Sequence, residues 1–442
     1  MNTPDKQPAS IVVVGGGFAG TTLAQVLEKR LPQGWQVVLV SEESCTTFNP
    51  MLAEAVGAAV FPEHVVAPIR EMLRKTRFIM GRVQQVDATQ RTLRCDTLAG
   101  PLDIAYEHLV LAFGQRANLG IIPGLAEHAL PLKLVGDAMF IRNRVLQRLA
   151  RVELSSDAGE RRRLGHFVVI GGGFSGVEVA GALADFIHGA RHYYPRISAG
   201  ETAFTLLHDG QQLLPELPAR LGLAVARSPA RRGVAVRLGA PAILIHAHAV
   251  DLACGVVLET DTVVCTIGTS ANRLVEALGL PAIRGRIATG PDGAVQGQKN
   301  LWAVGDCAAV PNAADGAICP PTAQFAVAQA QHMAHNLLAR IQCAHTRPFH
   351  YRSRGMMATT GHNKGVAEVF GIQLTGLSAW LLWRAYYLMG MPTPGRKLRI
   401  WVEWTWSLFF PADITHLRFT RTGEVDTSTD IPVLNPATPP QL

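Results

Sequence analysis

The sequence predicts an α/β architecture: two parallel-sheet units wound with helices, followed by a helical tail. Three observations carry that prediction. Residues 11–20 read I-V-V-V-G-G-G-F-A-G, an apolar run entering G-x-G-x-x-G at Gly15, Gly17 and Gly20. Residues 166–176 read H-F-V-V-I-G-G-G-F-S-G and repeat the pattern at Gly171, Gly173 and Gly176. The tail, in residues 376–389 and 396–410, holds five of the seven tryptophans.

Each glycine has a physical task. The first permits a tight turn, the second lets backbone approach a pyrophosphate, and the third packs helix on strand. Open N–H groups at the helix start then hold the diphosphate. Helices are expected over residues 21–30 and 177–187, directly after the two turns. One such motif is a weak signal; two in one chain predict two Rossmann-like units and two dinucleotides. That is the usual arrangement for passing electrons between a flavin and a nicotinamide.

Composition agrees with a glycine-turn-rich enzyme: 442 residues, 48% hydrophobic, 42 glycines. The net charge of +7 is too diffuse for nucleic acid and suits anionic lipid or anionic cofactors. The seven cysteines are scattered without C-x-x-C, as buried small hydrophobes in a reducing compartment would be. No metal site is expected. The polar first ten residues lack an apolar core, so no signal peptide is expected. No uninterrupted run of about 18 apolar residues suggests a membrane span.

Along the chain, residues 37–40 form the second strand of the first unit. It ends in Ser41 and Glu42, and either could bind ribose hydroxyls. Residues 46–52 read as an apolar loop and 61–75 as a turn and helix. Residues 77–86 and 91–95 read as a hairpin, and 106–114 as a buried strand ending in glycine. Residues 136–152 predict a basic amphipathic helix, with its charges in solvent, and 155–163 a polar linker. Residues 202–207 form a strand ending at His208 and Asp209, and 261–268 a strand ending at Gly268. Residues 300–306 predict a strand into Gly305-Asp306, where an Asp can bind a chain of hydroxyls. Residues 320–338 read as a helix whose N-terminal dipole could face a flavin carbonyl. In the tail, Leu398, Trp401, Val402, Thr405 and Leu408 recur at helical spacing beside Arg396, Lys397 and Arg399. Trp and Tyr with Arg and Lys mark an interfacial helix; a core or dimer-interface helix is the alternative. Residues 435–442 are Pro-rich and expected to fray.

Together the paired glycine turns, Phe48-Asn49-Pro50-Met51-Leu52, Ala303-Val304-Gly305-Asp306 and Pro321-Thr322-Ala323-Gln324 resemble type II NADH dehydrogenases. The resemblance covers residues 10–420. It implies a single-subunit, non-pumping NADH:quinone oxidoreductase of the respiratory chain, with non-covalent FAD. It implies a discontinuous FAD unit (residues 1–130 and 275–375), a NAD(P)H unit (131–274) and a membrane-associated segment (376–442). The implied FAD contacts are Gly15, Gly17, Phe18, Ala19, Gly20, Ser41, Glu42, Val83, Ala112, Gly114, Gly305, Asp306, Ala323 and Gln324. Asp306 would take the ribityl chain, and Val83 would lie near the adenine. The implied NAD(P)H contacts are Gly171, Gly173, Phe174, Ser175, Gly176, Glu178, His208, Asp209 and Gly268. Glu178 and Gln324 are the implied catalytic residues, with Gln324 and Ala328 at the quinone. Glu178 is alternatively a carboxylate favoured by the helix dipole. The partners implied are NADH, a membrane quinone and the lipid surface, with a homodimer open. The place implied is the cytoplasmic face of the inner (plasma) membrane, peripherally attached.

Two departures bear on specificity. The family's A-Q-x-A-x-Q helix becomes Ala323, Gln324, Ala326 and Ala328, with Gln329 one residue late. His208 replaces the acid that ends the second unit's strand, which leaves NADPH open beside NADH. The rival enzyme reading is a sulfide:quinone oxidoreductase, which needs paired cysteines by the flavin; Cys307 and Cys319 are the available ones. A rival of another class is a flavin-based redox sensor or interaction protein.

Overall fold

The computed structural model describes residues 8–230 and 232–417. Two sheets organise it. The first has seven strands in the order Leu301–Ala303, His108–Leu111, Ala9–Val14, Trp35–Ser41, Arg77–Asp87, Thr92–Thr97 and Gly100–Ala105. Ala9–Val14 lies parallel between two neighbours, with Val12 opposite both Val38 and Leu109. Continuous β-branched runs suit such a strand, because both of its faces are covered. Leu301–Ala303 joins the sheet edge in parallel, so the late chain completes the early unit. The hairpin strands Arg77–Asp87 and Thr92–Thr97 are antiparallel, with an irregularity between Val83 and Gln85.

The second sheet has five parallel strands: Ala129–Pro131, Thr262–Cys265, His166–Ile170, Ala203–Leu207 and Val234–Arg237. Its central strand again carries the glycine turn, and Val168 faces both Thr205 and Val263. The helices after the turns are Phe18–Arg30 and Phe174–Ala190. Each starts three residues earlier than its sequence pattern, because the middle glycine itself is the N-cap.

Several local expectations change. Residues 61–75 do not form one helix. They break into a 3-10 turn Pro62–His64, a strand Val66–Pro68 paired with Cys45–Thr47, and one turn Ile69–Met72. Pro62 and Pro68 disfavour helix at the residue before each and remove N–H donors. Residues 46–52 are therefore not a plain loop: they hold part of that short strand and lead into the helix Leu52–Val56. The expected linker at 155–163 contains the helix Ala158–Leu164, whose N-cap Asp157 accepts the Glu160 N–H at 2.5 Å. The helix expected at 320–338 runs Ala323–Ile341, because Pro320 and Pro321 precede it and Thr322 caps it.

The aromatic tail forms two helices, Leu377–Gly390 and Pro394–Trp406. The second divides its faces. Ile400 and Trp404 are buried with Trp383 in the core shared by helices Leu52–Val56, Val135–Leu154 and Phe174–Ala190. Leu398, Trp401 and Val402 are exposed by half or more. The core reading thus holds for one face of this helix, and the opposite face is exposed and carries apolar side chains. Among the described residues no helix is long and apolar enough to cross a membrane. The expectation for residues 435–442 lies outside the described residues.

Candidate functional site

The first glycine turn leaves room that no side chain fills. A Cβ on Gly20 would fall on the carbonyl oxygen of Gly15, and one on Gly15 would strike the Ala112 carbonyl. Gly17, by contrast, faces open space. Gly17 is also the N-cap of Phe18–Arg30 and supplies no side-chain acceptor. The first N–H groups of that helix are left for an external anion. Behind the turn, Ser41 is buried; its Oγ accepts the Glu43 N–H at 3.3 Å and backs onto Gly16. Glu42 stands at the rim, 3.2 Å from Arg82 and 3.8 Å from Arg116. Val83 is buried among Val14, Val40 and Cys95. Gly114 sits at φ +64 with nothing beside it.

The late chain returns to this turn. Gly305, at φ +78, brings its backbone next to Ala19. Its N–H donates to Gln329 Oε1 at 2.8 Å, and Gln329 is buried. Next to it, Asp306 has no hydrogen-bond partner among the described residues. Burial raises its carboxyl above the ordinary range, opposed by Lys133 and Arg286. An unpartnered, half-buried carboxylate beside a glycine turn that no side chain fills fits a polyhydroxyl chain joined to a diphosphate. At the start of Ala323–Ile341, Gln324 accepts the Arg354 N–H at 3.1 Å and donates to Gly355 O at 3.4 Å. Ala328 packs on the core that holds Val83.

The second turn repeats the first. A Cβ on Gly176 would fall on the Gly171 carbonyl oxygen, and one on Gly171 would lie 2.5 Å from Thr266 Oγ1. Gly173 faces open space and caps Phe174–Ala190 without a side-chain bond. At the end of the neighbouring strand, His208 lies against Gly172 and its Nδ1 accepts the Gly172 N–H at 3.3 Å. Asp209 points to solvent, with 78% of its side chain exposed.

A cavity of ≈ 140 Å³ lies between the units. Asn49, Leu52 and Ala53 wall it on one side, and Ser175, Glu178, Thr266 and Gly268 on the other, with Lys133 between. Glu178 is buried, and its Oε1 accepts the Trp383 indole N–H at 3.0 Å and the Thr359 N–H at 3.2 Å. Desolvation is the main cause that pushes its carboxyl up to about 8; the two hydrogen bonds oppose this and Glu54 adds to it. At pH 7 it is therefore a neutral acid on the cavity wall.

The family described as pyridine nucleotide-disulphide oxidoreductase matches residues 9–332. The chain belongs to this family. It is 28% identical over 424 residues to the type II NADH:quinone oxidoreductase Ndh of Mycobacterium tuberculosis, covering 91% of this chain and 89% of that one. It is 27% identical over 451 residues to an internal alternative NAD(P)H-ubiquinone oxidoreductase of Solanum tuberosum, covering 94% and 89%. Its fold matches the structure of NDH2 from Plasmodium falciparum in complex with NADH. The TM-score is 0.86 at 17% identity, over 93% of this chain and all of that one.

The expectation that the cysteines are buried holds for Cys95, Cys265, Cys307 and Cys319 but not for Cys45, which is half-buried, or for Cys254 and Cys343, which are exposed. Cys307 is fully enclosed, its thiol donates to Leu111 O and Val304 O, and burial pushes it up to about 12. All seven cysteines are free. The structure brings together residues that the sequence pattern passes over. Trp383 serves Glu178 although 205 positions separate them. Gln329, out of step with its motif, holds the Gly305 turn. Lys133 lies at the cavity and beside Asp306. A Trp at helical spacing signals an apolar face; nothing local signals that its N–H has a carboxylate partner.

Proposed function

We propose that this oxidoreductase transfers electrons from NADH to a membrane quinone: NADH + H⁺ + quinone → NAD⁺ + quinol. The observation that carries the reading is the cavity walled by both units, with a neutral buried carboxylic acid at its edge. FAD belongs on the discontinuous unit of residues 1–130 and 275–375. The open N–H groups after Gly17 take its pyrophosphate, and Asp306 takes its ribityl hydroxyls. When bound, FAD supplies a ring that accepts a hydride and gives up electrons two at a time or singly.

The remaining work falls to the chain itself. Residues 131–274 bind the nicotinamide dinucleotide through the N–H groups after Gly173. Leu52, Ala53 and Gly268 form the cavity wall and exclude water. Glu178 holds a proton there at neutral pH. Gln324, clamped to residues 354 and 355, fixes the start of the helix that borders the quinone. The placement of Ser41 behind Gly16 favours Glu42 as the ribose contact. Membrane attachment uses the outer face of Pro394–Trp406. There Leu398, Trp401 and Val402 are exposed on a helix that also carries Arg396, Lys397 and Arg399. The cytoplasmic side of the membrane is the side on which NADH is available.

Cys307 favours this reading over sulfide oxidation, because a nucleophilic thiol needs a lowered pKa and access. The test is oxidation of NADH, NADPH and sulfide by the flavin-loaded protein with a water-soluble quinone. One quinol formed per NADH is expected, with no sulfide turnover. A protein that leaves NADH unoxidised overturns the reading.

A further inference from the structure

The wall of the cavity continues into a buried charge cluster that the reaction above does not use. Glu54, on the helix Leu52–Val56, follows the cavity residues Leu52 and Ala53 and keeps only 12% of its side chain exposed. Its Oε2 accepts the Trp404 indole N–H at 3.1 Å and lies 3.9 Å from the Arg384 guanidinium. Arg384 is sandwiched between the rings of Trp380, at 3.8 Å, and Trp404, at 4.6 Å. The rings of Trp383 and Trp404 are 6.2 Å apart. Two indoles thus stand side by side, each donating to a different carboxyl.

This cluster is unbalanced in charge. It holds two carboxyls and one guanidinium. With both carboxyls ionised, a net negative charge would stay buried, which a low-dielectric interior resists. The neighbours on other elements do not supply a second cation. Tyr387 packs on Trp383 and is neutral, its phenol pushed up by burial, with Glu178 adding to the rise. Thr359 offers only its N–H. Asp185, on the helix of Glu178, is already paired with Arg232 at 3.1 Å and accepts the His362 N–H at 2.6 Å. His188 acts on Asp185, not on Glu178. Lys133 faces the cavity and Asp306. Burial raises the Glu54 carboxyl too, with Asp185 adding to it, but Arg384 and the Trp404 N–H oppose that rise, whereas Glu178 has no cation acting on it; the proton therefore resides on Glu178.

We propose that Glu54 and Arg384 are positioning residues that control whether Glu178 carries its proton. The inference rests on the reading that Glu178 borders the reacting groups. Removing Glu54's charge removes a like charge near Glu178 and frees the cation, so both effects favour ionised Glu178. Removing Arg384's charge leaves two uncompensated carboxyls and favours the protonated form.

The test uses the full-length, flavin-loaded protein and follows the infrared C=O band of protonated carboxyls from pH 5 to 9. The band lost in Glu178→Gln identifies Glu178. In Glu54→Gln its midpoint is expected to fall by about one pH unit, and in Arg384→Gln to rise by about one pH unit. Arg384→Lys should restore the original midpoint. The alkaline limb of quinone reduction should move with the band in each case. No shift in either variant, or shifts of the same sign, overturns the proposal. If Glu54→Gln does not fold, the difference between Arg384→Gln and Arg384→Lys carries the same decision. The infrared titration needs no quinone, so wild-type protein inert to quinone would sink the functional reading and leave this result standing.

Discussion

The two glycine turns are near copies in sequence and in backbone. V-V-V-G-G-G-F-A-G and V-V-I-G-G-G-F-S-G each place an uncapped helix start beside open space. In each, the third glycine touches the first glycine's carbonyl so closely that no Cβ fits. They differ in what surrounds them. Thr22 of the first helix corresponds to Glu178 of the second. The first turn receives Gly305 and Asp306 through Gln329; the second helix receives the aromatic tail through Trp383. The two turns thus offer the same uncapped helix start, and the segments that arrive from far along the chain are what distinguish them.

The largest expected difference comes from Glu178. Its folded pKa of about 8 lies above the ordinary 4.5 of the unfolded chain. Between those values the folded state holds more protons than the unfolded one, so stability falls as pH rises across that window. At full extent the loss is on the order of 5 kcal/mol. Calorimetry should show the Tm dropping from pH 5 to pH 8, and Glu178→Gln should flatten much of that drop. An undiminished drop in the variant would assign it to other groups.

Next in size is the steric experiment on both turns. Gly20→Ala and Gly176→Ala make the same overlap with a backbone carbonyl, which costs about 1–3 kcal/mol. The first should yield protein poor in flavin by its visible absorbance. The second should keep its flavin and raise the KM for NADH by roughly tenfold to a hundredfold. Flavin loss from both variants, or from Gly176→Ala alone, would break the assignment of the two turns. Asp306→Asn comes third. A carboxylate hydrogen bond contributes about 1.5–3 kcal/mol, so flavin affinity should fall roughly tenfold or more, with NADH binding unchanged.

The same contrast explains what was legible beforehand. The turns are local: apolar run, glycines and helix lie within about twenty residues, and their backbone needs are unmistakable. The return of Leu301–Ala303 to the first sheet was legible through Gly305-Asp306, because a glycine followed by an acid after an apolar strand has few uses. The tail was only half legible. Its Trp and Arg residues have the composition of an interfacial helix, and Trp401 is indeed exposed. Trp383, Trp404 and Arg384 have the same composition yet are buried. Their roles depend on Glu178 and Glu54, which only the folded chain brings near. Deleting residues 376–442 would therefore unpair both carboxyls as well as remove the exposed face. Substituting Leu398 and Trp401 by Glu tests vesicle binding without that loss.

The smallest expected effect concerns the strand ends, where the two units differ most in chemistry. A carboxylate at the second unit's strand end would accept from the adenosine 2′-hydroxyl and repel a 2′-phosphate. Here His208 occupies that place, turned onto Gly172, and Asp209 is directed to solvent. The Asp209 carboxylate lies 3.1 Å from His208 Nδ1, but its exposure screens its repulsion of a phosphate. The wild-type protein should accordingly oxidise NADPH as well as NADH. His208→Glu restores a carboxylate at the site. A partly exposed charge there is worth about 1 kcal/mol after solvent screening, so the ratio of kcat/KM for NADH over NADPH should rise roughly fivefold. The rise should shrink at high salt, since it is electrostatic. A ratio that does not move with His208→Glu, or moves equally at all ionic strengths, would place the adenosine ribose away from His208.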